Sequence, residues 1–220
     1  MPPVPQTADF AAGRVDIAVF ARAPIAGQSK TRLIPRLGAE GAAALQHALI
    51  GRTVRTALSA GLGSVSLWCA PNCDHPAFVN LSEELGVPLH AQSGVDLGAR
   101  MRHAFSRHCR ECDSLLIGTD CPALTATELR ASGLALAEGN DAVFIPAEDG
   151  GYVLIGLRRP IDSLFDSVPW GSDRVMDHTR ESLRRAGLRW HELSSSWDVD
   201  RPEDADRLQL SGLMSLPKGT

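Results

Sequence analysis

Short apolar runs alternate along this chain with segments whose apolar residues recur at helical spacing. Runs of five or six residues predict strands at Val15–Phe20, Val65–Ala70, Val87–Gln92, Ser114–Thr119, Ala142–Pro146, Tyr152–Leu157 and Leu188–Leu193. Between the first two, Ala42, Leu45, Leu49, Val54 and Leu58 follow the i, i+3, i+4 rule and predict a helix near Ala39–Ala60. Further helices are predicted over Leu97–Cys109, Ala126–Glu138, Arg174–Ala186 and Glu203–Leu210. Near-continuous apolar strands separated by helices specify an α/β fold in three layers, a mostly parallel central sheet covered on both faces.

Ligands of such open sheets bind outside the carboxyl ends of the strands. Four unusual clusters stand just there. Phe20 to Leu33 follows the first strand and contains Ala21, Arg22, Pro24, Gly27, Lys30 and Arg32. Gly118-Thr119-Asp120-Cys121-Pro122 closes the fourth apolar run, and Pro146 to Tyr152 closes the fifth. Trp197-Asp198-Val199-Asp200-Arg201-Pro202-Glu203-Asp204 follows the last. All four are expected on one rim of the sheet.

The first cluster carries the strongest chemistry. A loop at a strand's end can turn backbone N–H groups toward an anion. Lys30 adds a point charge and Arg32 a planar fork of donors, which together suit a polyphosphate. A Walker A loop is excluded, because Pro24 and Ser29 occupy its two glycine positions. The competing reading is a solvated basic turn.

Asp120 ends a buried run, where a carboxylate is costly unless paired or bound to a cation. A hard cation such as Mg²⁺ or Mn²⁺ takes one or two carboxylates plus substrate phosphates. Asp120 fits as the first, unless it caps the helix starting near Thr125. Asp198 and Asp200, two residues apart in an extended segment, share a face and supply the second. Asp204 more naturally begins a helix. Glu148, Asp149, Gly150 and Gly151 read either as a plain hairpin turn or as an acceptor-binding loop. In the latter, the glycines admit a ligand close to the backbone and Asp149 holds a hydroxyl or ammonium group. Gln92-Ser93-Gly94-Val95-Asp96-Leu97-Gly98 could lie over a base or sugar, or be a simple loop with Asp96 as a helix cap.

Composition narrows the field. The chain has 220 residues, with a formal net charge of -4 and 44% hydrophobic residues. One domain over 14–212 is expected, with 1–13 as a loose tail that lacks secretory-signal character. The negative balance argues against nucleic acid, and no window is apolar enough to span a membrane. Five cysteines, at 69, 73, 109, 112 and 121, point to a reducing cytoplasm rather than a disulfide framework. Cys69/Cys73 and Cys109/Cys112 could form a thiolate zinc site, against the reading as buried or bystander thiols. No H-E-x-x-H, G-x-S-x-G or G-x-G-x-x-G occurs.

Taken in order, the motifs resemble one family. They are F-A-R-A-P-x-x-G-x-x-K-T-R-L, G-T-D-C-P, P-A-E-D-G-G-Y-V-L-I-G, P-W-G-S-D-R-V and W-D-V-D-R-P-E-D. The family is the GT-A-fold glycosyltransferase-like group, also termed radical-SAM/selenodomain-associated transferases, within the nucleotide-diphospho-sugar transferase superfamily. More distantly the chain is similar to molybdenum-cofactor and phospholactate guanylyltransferases. The resemblance runs from about Val15 to about Leu210. It implies a GT-A fold, a nucleotide partner, a small-molecule acceptor and a divalent metal. It places Lys30 and Arg32 on phosphates and Asp120 and Asp200 on the metal. One departure separates the enzyme readings. The glycosyltransferase D-x-D motif is missing, since neither residue 118 nor 122 is Asp. A single Asp with a basic loop favours nucleotidyl transfer from an NTP to a phosphate-bearing or anionic acceptor, with Lys30, Arg32 and Asp120 as the catalytic set. Glycosyl transfer from a nucleotide sugar and nucleotide binding without turnover are the alternatives.

Overall fold

A computed structural model describes residues 14–108 and 113–216. The expected tail at 1–13 and the Cys109/Cys112 pair lie outside the described residues. Among the described residues seven strands form one sheet in the order β3-β2-β1-β4-β6-β5-β7. They are β1 (Val15–Arg22), β2 (Val65–Ala70), β3 (Leu89–Ala91), β4 (Asp113–Gly118), β5 (Ala142–Pro146), β6 (Tyr152–Leu157) and β7 (Trp190–Glu192). The helices are α1 (Ile34–Ala60), α2 (Pro76–Leu85), α3 (Leu97–His108), α4 (Ala126–Ala137), α5 (Val175–Arg185) and α6 (Pro202–Ser211). The fold is α/β with a mostly parallel sheet, as the apolar alternation predicts. Among the described residues no helix is long and apolar enough to cross a membrane.

Strand β6 runs antiparallel to both neighbours, β4 and β5, whereas the other pairings are parallel. The cause is the short link from Pro146 to Tyr152. A parallel crossover needs a dozen or more residues, so a link this short returns the chain antiparallel. Strand β6 therefore brings its first residues to the rim where the other strands bring their last.

Side chains alternate across the sheet with the two-residue period of a strand. Val15, Ile17, Val19 and Ala21 join Leu67, Leu115, Val143 and Leu154 on the face covered by α1, α2 and α4. Ala18, Phe20, Trp68, Leu116, Phe144 and Ile155 pack on the other face against Met101 and Phe105 of α3 and Leu183 of α5. A third cluster joins Leu33, Leu37 and Leu45 to Trp197, Val199, Ala205 and Leu208. It seats the segment after β7 against the loop after β1.

Two differences from the periodicity have local causes. Helix α1 includes Ile34 to Leu37, but Gly38 sits at φ 73 and ψ 167, outside helical geometry. The long regular stretch therefore begins at the predicted Ala39. Helix α2 was not anticipated, because only Phe78 and Leu81 of its ten residues are buried and the apolar stripe is thin. Its N-terminus is set instead by Pro76 at the first helical position and by the His75 side chain, which accepts the Ala77 N–H.

Gly156 lies mid-strand in β6, opposite Leu115 on one side and Val143 on the other. A Cβ there would stand 2.5 Å from Leu115 Cδ2 and 2.6 Å from Val143 Cγ1. Gly156→Ala should therefore overpack the sheet and cost about 1–3 kcal/mol. A lower urea midpoint at unchanged m-value is the expected readout; an unchanged midpoint would mean that the neighbouring strands yield freely.

Candidate active site

The loop after β1 is built on one buried hydroxyl. Ser29 Oγ donates to the Ala23 carbonyl at 2.7 Å and accepts the Ile25 N–H at 2.7 Å. The loop then delivers Lys30 in the left-handed region, φ 50, uncommon for a residue with a side chain. Its side chain is only 4% exposed, and the ammonium meets the Asp120 carboxylate at 2.7 Å. The same nitrogen donates to the Val199 carbonyl at 2.5 Å. Asp120 in turn accepts the Val199 N–H on its own backbone carbonyl at 2.8 Å. Three segments distant in sequence thus close on one ammonium. Arg32, two residues on, pairs with Asp200.

These residues line a cleft of two contiguous cavities. The first, about 770 Å³, is walled by the ends of β1, β2 and β4 and by Lys30, Arg32, Gln92, Asp96 and Arg100. The second, about 790 Å³, is walled by Glu148, Asp149, Gly151, Trp170, Asp173 and Arg201. Arg32, Asp120, Tyr152, Asp198 and Asp200 belong to both.

Of the residues expected to bind a nucleotide, Ala21, Arg22, Lys30, Arg32 and Gln92 line the first cavity, and Pro24, Gly27, Gly94 and Gly98 do not. The glycines shape the walls instead. Gly27 and Gly94 take positive φ, and a Cβ at Gly98 would stand 2.7 Å from the Trp170 indole nitrogen. Of the expected acceptor residues, Glu148, Asp149 and Gly151 line the second cavity. Gly150 does not; at φ 90, its vacant Cβ position lies 2.0 Å from the Asp173 carbonyl oxygen. Only glycine fits there. Glu148 is held by Arg207 through two bonds of 2.7 and 3.0 Å, and Arg207 stacks on Trp197 with its guanidinium 4.4 Å from the ring centre. That pairing keeps the Glu148 carboxyl below its ordinary range. Asp149 accepts the Gly151 N–H at 2.9 Å, closing the turn.

The capping alternatives divide. Helix α4 is capped by Thr125 and Glu128, so Asp120 is not its cap. Asp96 does cap α3, accepting the Ala99 N–H at 2.7 Å. Asp204 accepts the N–H groups of Asp200 and Arg201 at 3.0 and 2.7 Å, which opens α6 as expected. Cys69 and Cys121 are buried thiols, and burial pushes both up from their ordinary values.

Several wall residues were not singled out from the sequence. Gln46, on the buried face of α1 and only 4% exposed, donates to Thr119 Oγ1 at 3.2 Å. Its signal was a polar residue inside an apolar stripe. Tyr152 and Trp170, which meet edge-to-face, gave none beyond their motifs.

Among the described residues no three His, Cys, Asp or Glu side chains form a ready metal cage. The carboxylates are crowded nonetheless. Burial, with Asp120 and Asp149 nearby, pushes the Asp198 carboxyl up from 3.8 to about 7, and Lys30 opposes the shift.

The chain belongs to the family described as "uncharacterized protein conserved in bacteria (DUF2064)", whose model matches residues 53–172. It is similar to the solved structure named "putative nucleotide-diphospho-sugar transferase" from Desulfovibrio desulfuricans G20. The identity is 30%, with 85% of this chain and 82% of that one covered, at a TM-score of 0.77. Rv0371C from Mycobacterium tuberculosis H37Rv, solved with manganese, shares 19% identity over 90% of this chain and 99% of its own, at 0.57. CMP:2-keto-3-deoxy-manno-octonic acid synthetase, solved with CTP, shares 12% over 90% and 98%, at 0.56. These last two likenesses show the fold alone. No curated protein matches the sequence.

The Asp198 shift has a testable sign. Its folded value lies above the unfolded one, so the stability it contributes is fully present below about pH 4 and is lost as the pH rises toward 7. Asp198→Asn fixes the uncharged form. In EDTA-containing buffer the variant should exceed the wild type at pH 8 by an amount on the order of a few kcal/mol. Urea titrations from pH 4 to 8 should show that advantage shrinking toward acid. A difference that stays constant with pH would exclude titration of Asp198 in this window.

Proposed function

We propose that the protein is a metal-dependent nucleotidyltransferase that moves a nucleotidyl group from an NTP to a small acceptor. The observation that carries this reading is the nearly enclosed Lys30 ammonium, in the first cavity, on Asp120, which lines both of two cavities each large enough for a substrate. One cavity would hold the nucleotide and the other the acceptor. The names of the similar structures support its coarser part, a nucleotide-using transferase: one of this fold holds CTP, another manganese, and the 30% identical one is named for nucleotide-diphospho-sugar transfer.

The donor set suits a hard cation, since carboxylate oxygens are what Mg²⁺ or Mn²⁺ prefers. Asp120 and Asp200 would hold it with Asp198 beside them, and substrate phosphate oxygens would complete the shell that the protein does not supply alone. When bound, the cation supplies neutralisation of the phosphate charge. Lys30 and Arg32 would leave their carboxylates for the phosphate chain, Lys30 as a point charge and Arg32 as a two-pronged donor. The acceptor oxygen attacks the α-phosphorus, the bond to the bridging oxygen on the β-phosphate breaks, pyrophosphate leaves, and the proton of a hydroxyl acceptor passes to solvent. The chain's part is positioning and charge compensation. An anionic acceptor would find Arg201 and Arg32 in the second cavity, but Asp149 and Asp173 also line it. That balance favours an acceptor that presents a hydroxyl there over one that places a second phosphate.

A charge-assisted phosphate contact contributes roughly 1.5–3 kcal/mol, so Lys30→Ala should weaken NTP affinity about 10- to 100-fold and leave nucleoside affinity nearly unchanged. Calorimetry in Mg²⁺ separates the two. Arg32→Lys should also lose affinity, and Asp120→Asn should weaken metal-dependent NTP binding. Tighter binding of a nucleotide sugar than of any NTP, surviving Lys30→Ala, would instead establish the glycosyltransferase reading that the Desulfovibrio structure's name favours.

A further inference from the structure

Cys69 is the last residue but one of β2 and is fully buried on the face covered by α1, α2 and α4. Cys73 lies four residues on, beyond the strand. An extended chain would hold two residues so spaced roughly 13 Å apart. Here the chain turns back instead. Asn72 Oδ1 accepts the Asp74 N–H at 3.1 Å, a side-chain-closed turn of the kind asparagine favours. Cys73 is thereby folded under the strand end, half-buried against the same apolar cluster that holds Cys69. The two thiols adjoin there and interact through a hydrogen bond. Among the described residues no third metal-binding side chain joins them. The pair therefore falls short of the four ligands that a structural zinc takes. Cys121, the remaining described cysteine, stands apart at the end of β4 with its sulfur 3.1 Å from Ser196 Oγ.

We infer that Cys69 and Cys73 form a reversible disulfide, a thiol-modification site at the end of β2 whose oxidant is a small disulfide of the glutathione class. In a reducing compartment such a bond is transient and senses the redox state. Cys73 is the entry point, because it is partly exposed and Cys69 is not exposed at all. Burial, and after it the neighbouring Cys73, raises the Cys69 thiol above its ordinary range, which also favours Cys73 as the first thiolate. The Cys73 thiolate attacks one sulfur of glutathione disulfide. A mixed disulfide forms, the glutathione S–S bond breaks, and one glutathione leaves with the proton that Cys73 gave up. Cys69 Sγ then attacks the Cys73 sulfur. The Cys69–Cys73 bond forms, the bond from Cys73 to glutathione breaks, and the second glutathione leaves with the Cys69 proton. Two protein thiols are oxidised and one glutathione disulfide is reduced to two thiols; excess reduced glutathione runs both steps backward. The ring encloses Ala70, which lines the first cavity and whose carbonyl accepts the Ala23 N–H at 2.8 Å. The modification thus sits directly behind the cavity wall.

Peptide mapping tests it. The full chain is equilibrated in buffers of stepped reduced-to-oxidised glutathione ratio, its free thiols are trapped with iodoacetamide, and it is digested with trypsin. Residues 56–100 contain no internal Lys or Arg, so Cys69 and Cys73 leave in one peptide with no other cysteine. At reducing ratios that peptide should carry two labels. At oxidising ratios it should carry none and weigh two hydrogens less than the dithiol, and added reduced glutathione should restore both labels. Cys69→Ser should trap glutathione on Cys73 as a lasting mixed disulfide, whereas Cys73→Ser should leave Cys69 free of glutathione in the native protein. A wild-type peptide that stays a dithiol in oxidised glutathione would overturn the inference. So would one that retains glutathione on Cys73, or one joined instead to a peptide bearing Cys109, Cys112 or Cys121. The mapping is read on the wild-type chain, so it decides the question even where a variant does not fold.

Discussion

The site depends on one ammonium group. An isolated charge withdrawn from water is prohibitively costly, so a nearly enclosed lysine needs partners on every side. Lys30 finds them in the Asp120 carboxylate and the Val199 carbonyl. Those partners come from the ends of β4 and of the segment after β7, so the pairing fixes three loops relative to one another. The left-handed backbone at Lys30 fits this account. A strained residue persists where its surroundings over-determine it, and here the buried Ser29 bonds on one side and the two Lys30 contacts on the other do so. The apolar packing of Leu33 and Leu37 on Trp197 and Val199 brings the same segments together from below.

Topology decides which residues can reach that ammonium. The parallel strands all end on one rim, so the loops after β1, β4 and β5 and the segment after β7 converge without any special device. The reversed strand adds something different. Because β6 enters the sheet at this rim, its first residue, Tyr152, becomes a wall residue of both cavities. Its ring packs between Phe144 and Trp170, and its hydroxyl donates to the Met101 sulfur at 3.9 Å. Burial pushes that hydroxyl above its ordinary range.

Much of the fold was legible because the strands are buried on both faces and so appear as unbroken apolar runs. Strands β2, β5 and β6 fall where the runs do, and the others differ only at their ends. What escaped was whatever the sheet does not enforce. Helix α2 buries too little to leave a stripe. Strands β3 and β7, both at sheet edges, are three residues long, shorter than the runs that predict them. At the site, the charged residues that stand at strand ends were legible by position. The glycines were legible as turns but not by what they meet. Gly98 abuts Trp170 from 72 residues later in the chain, and Gly150 abuts Asp173. Such contacts belong to the folded arrangement and leave no local pattern. The partner of Glu148, Arg207 on α6, is hidden for the same reason.

The pairing of charges across the cleft also bears on what can bind there. Each base faces one acid, Lys30 on Asp120 and Arg32 on Asp200, so the two pairs are close to neutral. A ligand of one sign can engage a pair only by stripping a charged group of its partner. An anion drawn to Lys30 and Arg32 leaves Asp120 and Asp200 uncompensated beside Asp198, whose carboxyl is already raised to about 7 by burial and, after it, by the neighbouring carboxylates. A cation drawn to the aspartates leaves the enclosed Lys30 without its counter-charge. A polyphosphate arriving with a divalent cation replaces both partners at once. On the proposed reading, phosphate and metal therefore bind as linked ligands, each raising the affinity for the other by the same factor. On that reading the burial of Lys30 is the source of the coupling, and the lysine would be a determinant of metal affinity although it can ligate no metal.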